Sequence, residues 1–239
     1  MQTSSIDKKE LEKFNKTSKE WWHKDGEFQM LHEITPIRVE YINSVINNHF
    51  KTKSNKKLKL IDVGCGGGLI SIPMCKLGFD VAALDPNETN VKSITSYAKD
   101  HNLNIKCIED TIEEHIKTNP KYDIVLCLEV IEHVSNLEEF VQNLSKLVSD
   151  KGILVISTIN RNIKSYLQAI IMAEYVLGWI PKKTHDHEKF VKPSEIVSIL
   201  ENTDLTLKEL KGLSLSIPSQ NWYISNDIDV NYFAVFQKK

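Results

Sequence analysis

The sequence predicts an α/β protein built on a doubly wound, mostly parallel sheet, with N-terminal helices, an inserted apolar helical segment and an antiparallel hairpin at one edge. Three observations predict it. Strand-length apolar runs alternate with helix-length amphipathic ones from residue 58 onward, which is the pattern of βαβ units. A glycine cluster, Gly64, Gly66, Gly67 and Gly68, stands where the first such strand gives way to a helix. An acidic residue, Asp85, closes the second apolar run. A turn of bare glycines lets a ligand lie against backbone amides, and a carboxylate after the second strand can accept bonds from both hydroxyls of a ribose. The domain therefore reads as nucleoside-binding.

Taken in chain order, residues 8–22 place Leu11, Phe14, Ser18, Trp21 and Trp22 on one side of an amphipathic helix, which Gly26 breaks. A second helix is expected from Thr35-Pro36, with Ile37, Tyr41, Ile42, Val45 and Ile46 at helical spacing. Residues 51–57 form a polar loop. Strands are expected at 58–63, 79–84, 104–108, 122–128 and 152–158, and helices at 69–77, 87–100, 137–148 and 193–202. Two further apolar runs, 205–216 and 229–237, suit an antiparallel hairpin at a sheet edge. This divides the chain into a helical extension, 1–50, and one domain, 51–239, interrupted by an insertion at 159–192.

At 239 residues the chain fits one such domain and can bury a substantial core. Its formal net charge of −2 creates no field that would favour nucleic acid, and no nucleic-acid partner is expected. Cys65, Cys75, Cys107 and Cys127 form no C-x-x-C pair and no zinc spacing, so they read as reduced thiols of a cytoplasmic protein. The N-terminal stretch is polar and charged, without the apolar core of a secretory signal.

The glycine spacing narrows the nucleoside. A dinucleotide fingerprint wants its third glycine at relative position six, and here that position is Leu69. A nicotinamide or flavin reading is thereby disfavoured. Asp62, two residues before Gly64, places an acid beside the turn, which suits a cationic cofactor better than a pyrophosphate.

A second constellation follows the fourth strand. Leu128 runs directly into Glu129, Glu132 and His133. Ligands in open α/β sheets sit beyond the carboxyl ends of strands at the switch point, next to strands one and four. If the chain turns helically after Leu128, the three side chains share one face. There they could hold a divalent metal, act as a general-base set, or merely cap the next helix. Residues 166–180 are almost wholly apolar, with Glu174 their only charge, and Lys164, Lys182 and Lys183 flank them. A greasy helix bounded by cations suits a membrane surface, a lid over an apolar substrate, or burial against the sheet.

The motifs together resemble the ubiquinone-biosynthesis O-methyltransferases, which belong to the class I S-adenosylmethionine-dependent methyltransferases. The resemblance rests on Trp21-Trp22, Pro36-Ile37-Arg38, Asp62-Val63-Gly64-Cys65-Gly66, Leu128 to Val134, Ser157 to Arg161, Thr184-His185-Asp186 and Asp229-Val230-Asn231-Tyr232. It departs from the family at Thr35, where asparagine is expected. The resemblance implies a Rossmann-like methyltransferase sheet and cofactor contacts at Arg38, Gly64, Asp85 and Leu128. Gly66 lies in the same turn, and Asp110 stands where such folds meet the adenine amino group. The family further implies Mg2+ on Glu129, Glu132 and His133, with His133, Glu129 or His185 serving acid–base chemistry. The implied substrate is a polyprenylated phenol or quinol. Its tail calls for peripheral contact with the inner membrane face through 165–180, with a ubiquinone-biosynthesis complex as a possible setting. A methyltransferase for a soluble catechol or amine, and a non-catalytic quinone-binding subunit, are the competing readings.

Overall fold

The structure is a computed structural model that describes residues 21–23, 25–26, 28–51, 58–167, 187–216, 219 and 221–239. The expected helix at 8–22 therefore lies almost wholly outside the described residues, as do His185 and residues 168–180 of the apolar segment.

Helix α1 (Gln29–Phe50) leads into β1 (Lys59–Val63), α2 (Ser71–Lys76), β2 (Asp80–Asp85), α3 (Glu88–Asp100) and β3 (Ile105–Glu109). There follow α4 (Ile112–His115), β4 (Tyr122–Leu128), a single 3-10 turn at Ile131–His133, α5 (Leu137–Leu147) and β5 (Val148–Ile159). The chain closes with α6 (Pro193–Leu200), β6 (Leu205–Ser216), β7 (Asn221–Ser225) and β8 (Asn231–Lys238). All eight strands form one sheet in the order β3-β2-β1-β4-β5-β8-β6-β7. Strands β1 to β5 pair in parallel, and β8, β6 and β7 add antiparallel partners beyond β5.

Strand periodicity divides the core between the two faces. Ile61, Val125, Leu154 and Ala234 turn toward α5 and α6, where they meet Phe140, Leu144 and Ile196. Their chain neighbours Leu60, Ile124, Val155 and Phe233 turn the other way, onto Ile34, Ile42 and Ile46 of α1. Alternate residues of one strand thus bury against opposite helical layers, as a doubly wound sheet requires.

Local chemistry sets the helix starts. Asn87 caps α3 by accepting bonds from the Thr89 and Asn90 amides, and Asn136 caps α5 by accepting from Glu139 N. Pro193 opens α6, where its missing N–H costs nothing.

Two expectations change. Helix α1 begins a turn and a half before Thr35 and carries Pro36 inside it. Tertiary contacts hold the turn ahead of the proline: Ile34 is buried, and His32 Nε2 meets the Trp21 carbonyl at 2.8 Å. The edge is also not a simple hairpin. Strand β8 sits between β5 and β6, and β7 forms the outermost strand.

Candidate functional site

Strand order reverses between β1 and β4, and the two loops that leave their carboxyl ends meet there. After Val63 the chain turns back across the sheet edge, with the amides of Gly64 and Cys65 both donating to the Leu84 carbonyl, at 2.8 and 3.1 Å. Gly64, Gly66 and Gly68 adopt φ of 74, 53 and 89°, a region that residues with a Cβ enter only with strain. A Cβ on Gly64 would lie 2.5 Å from Val130, so the turn after β1 packs directly on the loop after β4. On Gly66 and Gly67 the obstacle would be the ring of Trp21. Protein side chains, as well as any ligand, explain these glycines.

Asp62 and Asp85 flank this turn from below. Asp62 is buried and accepts a 2.6 Å bond from Ser71 Oγ. Burial pushes its carboxyl up to about 6, partly offset by that hydrogen bond. Asp85 ends β2, with Oδ2 accepting from Gly66 N and Oδ1 from Asn87 N and Asn90 Nδ2, at 2.9, 2.9 and 3.1 Å. Burial raises its pKa against these three donors. A carboxylate offers about four acceptor positions, so roughly one remains for a ligand. Asp110 follows β3, and its amide bonds the Asp85 carbonyl at 3.3 Å, which puts it at the same end of the sheet.

Arg38 reaches the site from α1. It is buried, and its guanidinium pairs with Glu129 at 2.7 Å. Its Nε is buried with no partner. Glu129 follows Leu128, the buried last residue of β4, and takes a φ of 56°. Its amide bonds the Ser157 carbonyl at 2.9 Å, and its Oε1 also accepts from Ser157 Oγ at 2.5 Å. Glu132 is buried beneath it and accepts from Thr158 Oγ1 at 2.8 Å. Desolvation and the Glu129 charge hold the Glu132 carboxyl well above the usual range, while the nearby His133 pulls it back.

The helical face expected for Glu129, Glu132 and His133 does not form. The left-handed backbone at Glu129 turns the chain before the 3-10 turn begins, so Glu129 faces Arg38 while Glu132 faces Thr158. Among the described residues no group of His, Cys, Asp and Glu side chains stands together as a metal site. In this conformation the three do not fit a divalent ion.

The roots of the apolar insertion also lie at this end of the sheet. Beyond β5, Arg161 bonds Glu195 and the Glu188 carbonyl, and Lys164 Nζ reaches Asp227 and Asp229 at 2.6 and 3.1 Å. His187 Nε2, on the far side of the segment, meets the Asn162 carbonyl at 3.0 Å, so the two ends of the insertion come together.

Comparison with known proteins gives the family. Residues 37–210 match a family described as a methyltransferase domain. Over 236 residues the chain is 52% identical to the ubiquinone biosynthesis O-methyltransferase of Rickettsia felis, spanning 99% of this chain and 96% of that protein. The chain belongs to the ubiquinone biosynthesis O-methyltransferases. The protein of the same description from Rickettsia prowazekii is also 52% identical, over 99% of this chain and 92% of its own length. Among solved structures, the Synechocystis magnesium protoporphyrin IX methyltransferase with bound SAH superposes with a TM-score of 0.65 at 17% identity, covering 95% of this chain and 94% of that one. The plantazolicin methyltransferase BpumL gives 0.65 at 18% identity, over 97% of both chains. These two share the fold: a mostly parallel sheet with an antiparallel edge and flanking helices.

Within this O-methyltransferase the site holds four residues that the sequence did not assign to it, although Trp21, Ser157 and Thr158 stand in the motifs that carry the resemblance. Ser157 and Thr158 anchor the two acids; the expected pairing of the fourth and fifth strands could have located them, since Leu128 lies beside Ser157 in register. Trp21 and Asn90 complete the glycine turn, and no spacing in the chain connects residues so far apart.

Proposed function

We propose that this chain transfers a methyl group from S-adenosylmethionine to a hydroxyl of a polyprenylated phenol or catechol, a demethylated precursor of ubiquinone. The observation that carries this reading is the meeting of the two loops at the switch point, where Val130 packs on Gly64 and so sets Glu129 to His133 beside the glycine turn. The residues suit the cofactor. Arg38, buried with an unpartnered Nε, would take the methionine carboxylate. Asp62 would supply negative charge near the cationic centre, Gly64 and Gly66 keep the turn's backbone free of a Cβ, and Leu128 would pack against the cofactor. Asp85, with roughly one acceptor position left, would receive a ribose hydroxyl, and Asp110 the adenine amino group.

When bound, S-adenosylmethionine supplies an electrophilic methyl group on a sulfonium. The chain must present an acceptor oxygen that has lost its proton. His133 is half-buried and lies next to the buried Glu132. His133 would take the acceptor's proton, while Glu129 orients Arg38. Such base catalysis is worth ~10²–10⁴-fold, and His133→Ala should lose about that much turnover. His185 is the second candidate base. Glu129 is already engaged by Arg38 and Ser157, which leaves Glu129, Glu132 and His133 unsuited to a divalent ion in this conformation. Turnover that survives EDTA follows from that pairing. Turnover lost in EDTA and restored by Mg2+ would mean that Glu129 leaves Arg38 in the working complex.

The apolar insertion supports a substrate with a prenyl tail, and with it peripheral contact at the inner membrane face. A membrane-held intermediate is also one that neighbouring enzymes of the same biosynthesis can share as a complex. No helix among the described residues is long and apolar enough to cross a membrane. The deciding assay supplies methyl-labelled cofactor and a short-tailed demethylubiquinol. Labelled quinol is expected. Equal transfer to a soluble catechol would overturn the substrate class, and cofactor binding without transfer to any phenol would leave a quinone-binding subunit.

A further inference from the structure

The bare backbone of the glycine turn is already covered from one side by a side chain of the N-terminal segment. A Cβ built on Gly67 would lie 2.2 Å from Trp21 Cγ, and one on Gly66 would lie 2.7 Å from the far edge of the same ring. Trp21 is buried and stacks on Phe28, with centroids 3.8 Å apart and planes 7° from parallel. Its Nε1 donates to Asn90 Oδ1 at 2.8 Å, and Asn90 Nδ2 donates to Asp85 Oδ1 at 3.1 Å. An indole N–H can only donate and a carboxylate can only accept, so these two partners fix which way the Asn90 amide faces. Asp85 Oδ2 accepts from Gly66 N at 2.9 Å. The contacts thus close a ring: Gly66, Asp85, Asn90, Trp21 and back to Gly66. The Trp21 carbonyl bonds His32 of α1, the helix that carries Arg38.

We propose that Trp21 is a cofactor-positioning residue, which through Asn90 holds the Asp85 carboxylate aimed at the ribose 2′-hydroxyl. This rests on the reading of Asp85 as the ribose acceptor. The aim of a carboxylate depends on what grips its oxygens. Asn90 grips Oδ1 only while its own Oδ1 is occupied by the indole. Replacing Trp21 by phenylalanine keeps an aromatic ring over the glycines and against Phe28, yet frees the Asn90 amide to rotate.

Calorimetric titration with S-adenosylhomocysteine and with its 2′-deoxyribose analogue tests the proposal. Wild-type protein should prefer the ribose form. In Trp21→Phe the affinity for S-adenosylhomocysteine should fall several-fold, up to about tenfold for one net hydrogen bond, and the preference for ribose should shrink with it. Asn90→Ala should do the same, and the double variant should be no worse than Asn90→Ala alone, because both act through one ring of contacts. A general loosening of the fold would weaken both ligands alike and leave the preference intact, which overturns the proposal. So do additive losses in the double variant. If Asp85→Ala keeps both the affinity and the preference, the ribose reading itself fails, and Trp21 falls with it. If Asp85→Ala loses them while Trp21→Phe does not, only the role given to Trp21 fails.

Discussion

Asp62 shows how one buried side chain sets a pH profile. Its carboxyl has moved from an ordinary value of 3.8 to about 6, chiefly through burial. The folded state therefore holds this proton more tightly than the unfolded chain. The resulting stability is complete below the unfolded value and is lost as pH rises through the folded one. The difference corresponds to about 3 kcal/mol. Asp62→Asn cannot titrate, and its amide oxygen can still accept from Ser71 Oγ. Its stability relative to the parent should therefore improve by about 3 kcal/mol between roughly pH 4 and pH 7.5, read from urea unfolding at each pH. A constant difference across that range would mean that Asp62 keeps its ordinary carboxylate behaviour. Glu129 makes the opposite point about what a sequence can reveal at this scale. Its place just past the fourth strand was legible from the apolar run before it. Its left-handed backbone was not, because the partners that hold it there, Arg38 and Ser157, come from distant elements.

Elements were legible where their own periodicity governed burial, as in the five parallel strands and the helices between them. They were not legible where a neighbour governed it. Strand β7 is five residues long, and only its pairing with β6 makes Trp222 and Ile224 pack toward the core. The early start of α1 likewise depends on contacts that no local signal announces, and it outweighs a proline whose place in a helix normally costs about 3 kcal/mol. One of the contacts that dock α1 can be tested on its own. Tyr41 Oη donates to Glu209 Oε1 of β6 at 2.6 Å, which ties α1 to the antiparallel half of the sheet. Burial and the Glu209 carboxylate together push the Tyr41 hydroxyl far above its ordinary value, so it remains a donor throughout the useful pH range. Tyr41→Phe leaves Glu209 with one bond fewer and should cost about 1–2 kcal/mol at neutral pH, measured by denaturant unfolding. A neutral effect would show that water replaces the tyrosine without loss.

The whole molecule gathers its chemistry at one end: the carboxyl ends of β1, β2 and β4 carry the candidate site, and the insertion roots just past β5. The side chains at that root are unusual for a protein surface. Ile163 is 79% exposed, Leu167 48% and Tyr166 42%, beside Lys164. A net charge of −2 gives the molecule no overall attraction to an anionic bilayer, so the proposed contact there would draw on apolar burial more than on charge. That distinction is measurable. The parent protein should sediment with anionic vesicles almost equally well in low and high salt, because screening weakens charge contacts and leaves apolar ones intact. Replacing Ile163 and Leu167 together by glutamate should abolish most of that binding. The affinity for S-adenosylhomocysteine should stay as it was, since neither side chain touches the glycine turn or the acids. Binding that vanishes in high salt would place the contact on lysines instead. Binding that survives the double replacement would turn this apolar root toward the protein's own interior, or toward the tail of the substrate.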